Sequence, residues 1–125
     1  AKTPVEVKKE TFPDYFEAFK HKNIININNV ISNPITKGFA KQFFVPNNIA
    51  SRIDVLIYGR NDHYGILSFE TKNVNRVFNA DEESFVTSIA SIISLMVESS
   101  ERKIAENKIA LTIKFEFIKL VQFYV

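Results

Sequence analysis

The chain contains no cysteine. Disulfides, thiolate metal sites, cysteine nucleophiles and thioether-linked chromophores are thereby excluded. Histidine is scarce as well: His21 and His63 are the only two in 125 residues. Neither has a second histidine or a close carboxylate at ligand spacing, so no metal centre and no phosphoacceptor helix is expected. Both are read as solvated, His63 within a turn. No apolar run reaches the roughly 18 residues of a membrane span, and the N-terminus lacks the apolar core of a signal peptide. A cytoplasmic location without membrane contact is the expectation. Charge of one sign is not in excess either, with 16 Lys and Arg against 14 Asp and Glu. The early lysines Lys2, Lys8, Lys9, Lys20 and Lys22 are too sparse for a nucleic-acid footprint and read as a solvated face. What the chain does have is apolar mass: 46% hydrophobic residues, including 12 phenylalanines. That suits one globular domain able to bury a core without covalent staples.

Periodicity predicts an alternation of strands and helices. Val5–Glu10 alternates weakly and reads as a strand. Pro13 suits a first helical turn, and Tyr15, Phe16 and Phe19 follow at helical spacing to about Lys20. Ile24–Ile27 is a short β-branched strand ended by Asn28 and Asn29. A long connection follows, with a turn at Asn33-Pro34 and a helix over Thr36–Phe44 that sets Phe39 and Phe43 on one face. Connections of this length inside a compact domain are usually functional. Ile53–Tyr58 and Tyr64–Thr71 form a hairpin around Gly59–Asp62. Asn79 then opens a long helix to about Lys108. Glu82 stands three residues on, as in a capping box, and Asp81 and Glu82 complement the helix dipole. Phe85, Ile89, Ile92, Ile93 and Met96 make a broad apolar stripe, widened by Val86, Ala90 and Val97. A stripe that wide predicts burial on more than one side of the helix. In the tail, Leu111–Val125, apolar alternation favours a strand, although Leu111, Ile118 and Val125 also fit a helical period.

These segments in this order resemble a GAF domain. Phe12–Phe19 looks like that family's entry helix, and Ile24–Pro34 like its following strand and turn. Val45–Tyr58 and Tyr64–Thr71 are similar to the two hairpin strands. Arg76–Glu106 is similar to the terminal helix that leads into a signalling linker. The family usually has Gly where Asn48 stands; asparagine is a mild replacement because it tolerates a left-handed backbone. The family usually has Pro where Leu56 stands. The resemblance implies an α+β fold of the GAF/PAS-like (profilin-like) kind: a central antiparallel sheet, packed helices and a long C-terminal helix. It also implies a GAF-like unit over residues 1–103, with the module's first helix and strand missing, followed by a linker-helix end and β-prone tail over 104–125. The tail is expected to fill the vacated sheet position, from the same chain or from a second copy.

Function follows as an expectation of the resemblance. The chain reads as a regulatory sensor domain of a bacterial signal-transduction protein. It would bind a small ligand, or dimerise, to control a downstream output domain; the alternative is a ligand-free dimerisation or docking module. The implied pocket would be lined by Asn28, Phe39, Phe43, Phe44, Ser51, Arg52 and Phe69. The phenylalanines serve equally well as plain core. The implied dimer and signalling helix carries Ile89, Ile93, Met96 and Val97, and the expected partner is a second copy. A cyclic-nucleotide pattern is echoed only in part by Lys72, Phe78, Asp81 and Glu82, and capping already accounts for the last two. No catalytic residue, metal or cofactor is assigned. Ser51 lacks a nucleophile elbow and reads as a loop hydroxyl. Asp54 and Glu70, the one carboxylate pair to weigh for acid–base chemistry, read as structural polar positions on strands.

Overall fold

Two strands of ten residues each carry the fold, β2 (Ile49–Tyr58) and β3 (His63–Lys72). The computed structural model describes residues 10–60, 63–107 and 122–124. A short helix α1 (Pro13–Ala18) precedes strand β1 (Ile24–Ile27), and a long helix α2 (Ala80–Asn107) follows the hairpin. A last strand, β4 (Gln122–Tyr124), completes a four-stranded sheet in the order β1-β2-β3-β4. The first three strands are antiparallel, and β4 lies parallel to β3 with Phe69 opposite Phe123. The chain is thus an α+β protein with a long C-terminal helix, as expected. The part of the tail that is described pairs with its own sheet. The expected strand at Val5–Glu10 and the remainder of the tail at Leu111–Val125 lie otherwise outside the described residues, apart from Glu10, which is in a turn.

Alternation along β2 sends residues to opposite faces, and both faces are covered. Ile53, Val55 and Ile57 join Leu67 and Phe69 under α2, against Val86, Ala90 and Val97. Leu56 points the other way and packs with Tyr15, Phe19, Ile25, Ile27, Val30 and Phe44. β2 is therefore a central strand buried on both sides, which explains why its second half, from Val55 to Ile57, is apolar on both faces. It starts at Ile49 rather than at Ile53. Near its start the register slips between Ile49 and Ser51, a β-bulge flanked by two left-handed asparagines, Asn48 (φ 58°) and Asn73 (φ 67°). The amide of Asn73 donates to the carbonyl of Asn48 at 2.9 Å, so the two bends close on each other. The tolerance expected of Asn48 is the tolerance this corner uses.

The helix expected over Thr36–Phe44 is instead a 3₁₀ turn (Lys37–Phe39) followed by a π-helical turn (Ala40–Phe44). The wider turn brings Phe44 inward, to 2% exposure, while Phe43 stays half-buried. Stacking of Phe12 on Phe39, with ring centroids 3.9 Å apart, fixes this segment over α1. His63 opens β3 opposite Tyr58 instead of lying in the turn; His21 is exposed, as expected.

The start of α2 follows its capping box. The side chain of Asn79 accepts from the Glu82 amide at 2.9 Å, and the Glu82 carboxylate accepts from the Asn79 amide at 3.1 Å. Asn26 of β1 donates to the Phe78 carbonyl at 2.8 Å and to Glu83 at 2.7 Å, tying the helix start to the sheet edge. Further along, Ser94 accepts from the Tyr58 amide at 2.9 Å and Glu101 from the Arg60 amide at 2.7 Å. α2 is thereby pinned along the hairpin for most of its length, and it runs to Asn107, close to the end expected at about Lys108.

Candidate functional site

The residues expected to line a pocket divide between the two faces of the sheet. Phe39, Phe43 and Phe44 lie with α1, whereas Phe69 lies beneath α2. Phe69 is therefore not a lining residue of the same space: its partner in β2 is Ile53, and both side chains belong to the α2 face. On the α1 side the rings occupy the space themselves. Tyr15 meets Phe39 edge-on at 5.1 Å, and Phe44 meets Phe39 at 5.8 Å and Phe43 at 5.5 Å.

Arg52 is also committed. Its Nε donates to Asp54 Oδ1 at 2.6 Å, Nη1 to Glu70 Oε1 at 2.6 Å, and Nη2 to Ser68 Oγ at 2.8 Å. The guanidinium lies 5.8 and 5.7 Å from the ring centres of Phe43 and Phe44. The Tyr15 hydroxyl donates to the other Asp54 oxygen at 2.5 Å. Asp54 and Glu70 therefore share one face and one cation, with almost no solvent contact. Burial, then the Asp54 carboxylate, holds the Tyr15 phenol well above its usual range, with Arg52 opposing. For Arg52, burial favours the neutral form, but Asp54, Tyr15 and Glu70 outweigh it, and the guanidinium stays charged more firmly than usual. The cluster is a polar clamp inside the core, joining α1, β2 and β3.

Ser51 is a strand residue with no solvent exposure rather than a loop hydroxyl. It donates to the Asn28 carbonyl at 2.5 Å and accepts from the Arg76 amide at 2.6 Å. Asn28 itself is exposed and contributes its backbone. Among the described residues no group of three or more His, Asp or Glu stands close enough to hold a metal ion, and no helix is long and apolar enough to cross a membrane.

The helix residues separate in a more telling way. Val86, Ala90 and Val97 are 3%, 2% and 0% exposed, facing the chain's own sheet. Ile89, Ile93 and Ile104 are half-buried beside them. Val97 is consequently not available to a partner. The outer face carries Phe85, Ile92, Leu95 and Met96, which are 61%, 60%, 67% and 55% exposed. The broad stripe read from the sequence is thus two seams, one packed on the sheet and one exposed. Ile92, Leu95, Met96, Ser99, Ser100 and Lys103 form one nearly flat patch on the second. Leu95 had no place in the expected stripe, yet it is the most exposed of these four apolar residues. Its three-residue spacing from Ile92 was the available signal. The sequence matches no family model and no curated protein.

Proposed function

We propose that the chain is a regulatory module of GAF-like, PAS-related architecture that acts by self-association through the outer face of α2. Four large apolar side chains stand exposed along that face of a helix whose adjoining face is already buried, and this observation carries the reading. Exposed apolar surface that clusters along one element marks an interaction site rather than scattered surface chance. The order of helix, strand, long excursion, hairpin and long helix supports the GAF-like assignment, as does the left-handed Asn48 where that family usually has Gly.

The ligand-free form of the reading is favoured over small-molecule sensing. The space proposed for a ligand holds Phe39, Phe43 and Phe44 packed on one another. Arg52, its one cationic candidate, is bound to Asp54, Glu70 and Ser68. No turnover is assigned to the chain, because this clustered set of titratable groups is turned inward. In a cytoplasmic bacterial signalling protein, pairing of α2 would fix the spacing and orientation of an output domain attached beyond it. Such control requires that the paired and unpaired states differ in interaction free energy with that domain.

Two substitutions at neighbouring positions test the reading. Ile92 is exposed and Ile93 is half-buried against the core. Ile92→Glu is expected to convert a dimer to a monomer in sedimentation velocity while leaving the thermal midpoint of the monomer unchanged. Ile93→Glu is expected to lower that midpoint by several degrees or to prevent folding. An Ile92→Glu protein that sediments as the unaltered chain does would refute self-association through this face.

A further inference from the structure

The outer face of α2 has a layout that specifies how two copies meet. Asp81, Phe85, Ser88, Ile92, Met96, Ser99 and Lys103 are all exposed, at successive spacings of four, three, four, four, three and four residues. This is one continuous stripe at helical period. The spacing is the same read forwards or backwards, with Ile92 at its middle. The chemistry is complementary about the same point. Asp81 and Lys103 stand eleven residues to either side of Ile92, Phe85 and Ser99 seven, and Ser88 and Met96 four.

We infer that two copies pair antiparallel along α2, with Ile92 on the two-fold axis. This rests on the self-association reading above and adds orientation and register to it. In that arrangement Ile92 meets its own counterpart and the large side chains on either side meet small ones: Phe85 of one copy lies over Ser99 of the other, and Met96 over Ser88. The incoming phenyl ring lies over Ser99, whose exposed neighbours on the helix are Leu95, Met96 and Lys103. The acidic start of one helix, with Asp81, Glu82 and Glu83, approaches Lys103 of the other. A parallel pair would instead stack Phe85 on Phe85 and serine on serine, leaving gaps, and would oppose like charges at both ends. Gaps and like-charge contacts are what select against an alternative pairing. The arrangement is an isologous contact, closed at two copies.

The absence of native cysteine makes the test clean. Three single variants, Phe85→Cys, Ser99→Cys and Ile92→Cys, alter exposed positions of the full chain and are oxidised under dilute conditions. Disulfides form only where Cα atoms come within about 7 Å. Antiparallel pairing predicts that Ile92→Cys cross-links to itself, that Phe85→Cys and Ser99→Cys alone do not, and that an equimolar mixture of those two gives a cross-linked heterodimer. Self-cross-linking of Phe85→Cys and of Ser99→Cys overturns the antiparallel register while leaving self-association intact. A dimer in which none of these pairs cross-links overturns the register as well. A reduced chain that sediments only as a monomer overturns the self-association reading itself, and the register with it.

Discussion

At the scale of single residues, the polar clamp beneath α1 sets the sharpest expectations. Arg52 is the shared cation of two carboxylates that are almost wholly buried. Removing it leaves like charges facing each other out of water, so Arg52→Met is expected to cost about 3–5 kcal/mol and Arg52→Lys less, since an ammonium keeps the charge but not the planar fork that reaches Asp54, Glu70 and Ser68. Urea denaturation measures both. Tyr15→Phe deletes the hydrogen bond to Asp54 and is expected to cost about 1–3 kcal/mol near neutral pH. Its pH dependence has a definite sign. The folded-state pKa of Tyr15 is raised, so its contribution is fully present below the unfolded tyrosine value of about 10 and is lost as pH rises toward the folded value. Stability of the unaltered chain is therefore expected to fall above about pH 10, with a shallower fall in Tyr15→Phe. Little of this clamp was legible beforehand. Arg52 and Asp54 are two apart and so share a strand face, but pairing with Glu70 and Ser68 depends on the hairpin register, and contact with Tyr15 depends on where α1 docks. Those distances are set by tertiary packing, which no local pattern encodes.

At the scale of elements, the sequence was most readable where local chemistry and burial agree. The capping box fixed the start of α2, and β-branched runs fixed β1 and the hairpin. Asn79→Ala is expected to cost about 1 kcal/mol by leaving the first turn's amides unsatisfied. The segment from Thr36 to Phe44 was harder, because phenylalanines four apart suggest an α-helix. The chain takes 3₁₀ and π turns there, and the π turn carries Phe44 into the core. The apolar stripe of α2 was visible as a whole, but not its division. Both seams have helical period, and only the position of the sheet decides which is inside. That division is measurable in stability. Val97→Ala removes two buried methyl groups and is expected to cost about 2 kcal/mol, whereas Met96→Ala is expected to change monomer stability by less than about 0.5 kcal/mol.

At the scale of the whole molecule, the fold reads as a sheet with one finished side and one helix that is finished on its inner face alone. The α1 side is filled by aromatic rings and the clamp, and the inner seam of α2 closes the other side. The outer seam leaves Phe85, Ile92, Leu95 and Met96 exposed. If Asp81 and Lys103 meet across a dimer, Lys103→Glu is expected to raise its dissociation constant by about tenfold at low salt and by less at high salt, since exposed pairs are weak and screened. Titration of the variant by sedimentation equilibrium measures the change. The central claim, that the outer face of α2 is a self-association surface, is tested most directly by the mass of the unaltered chain in solution. Sedimentation equilibrium over a range of micromolar concentrations is expected to give twice the 14.4 kDa of one chain. A mass of 14.4 kDa that persists across that range would contradict it.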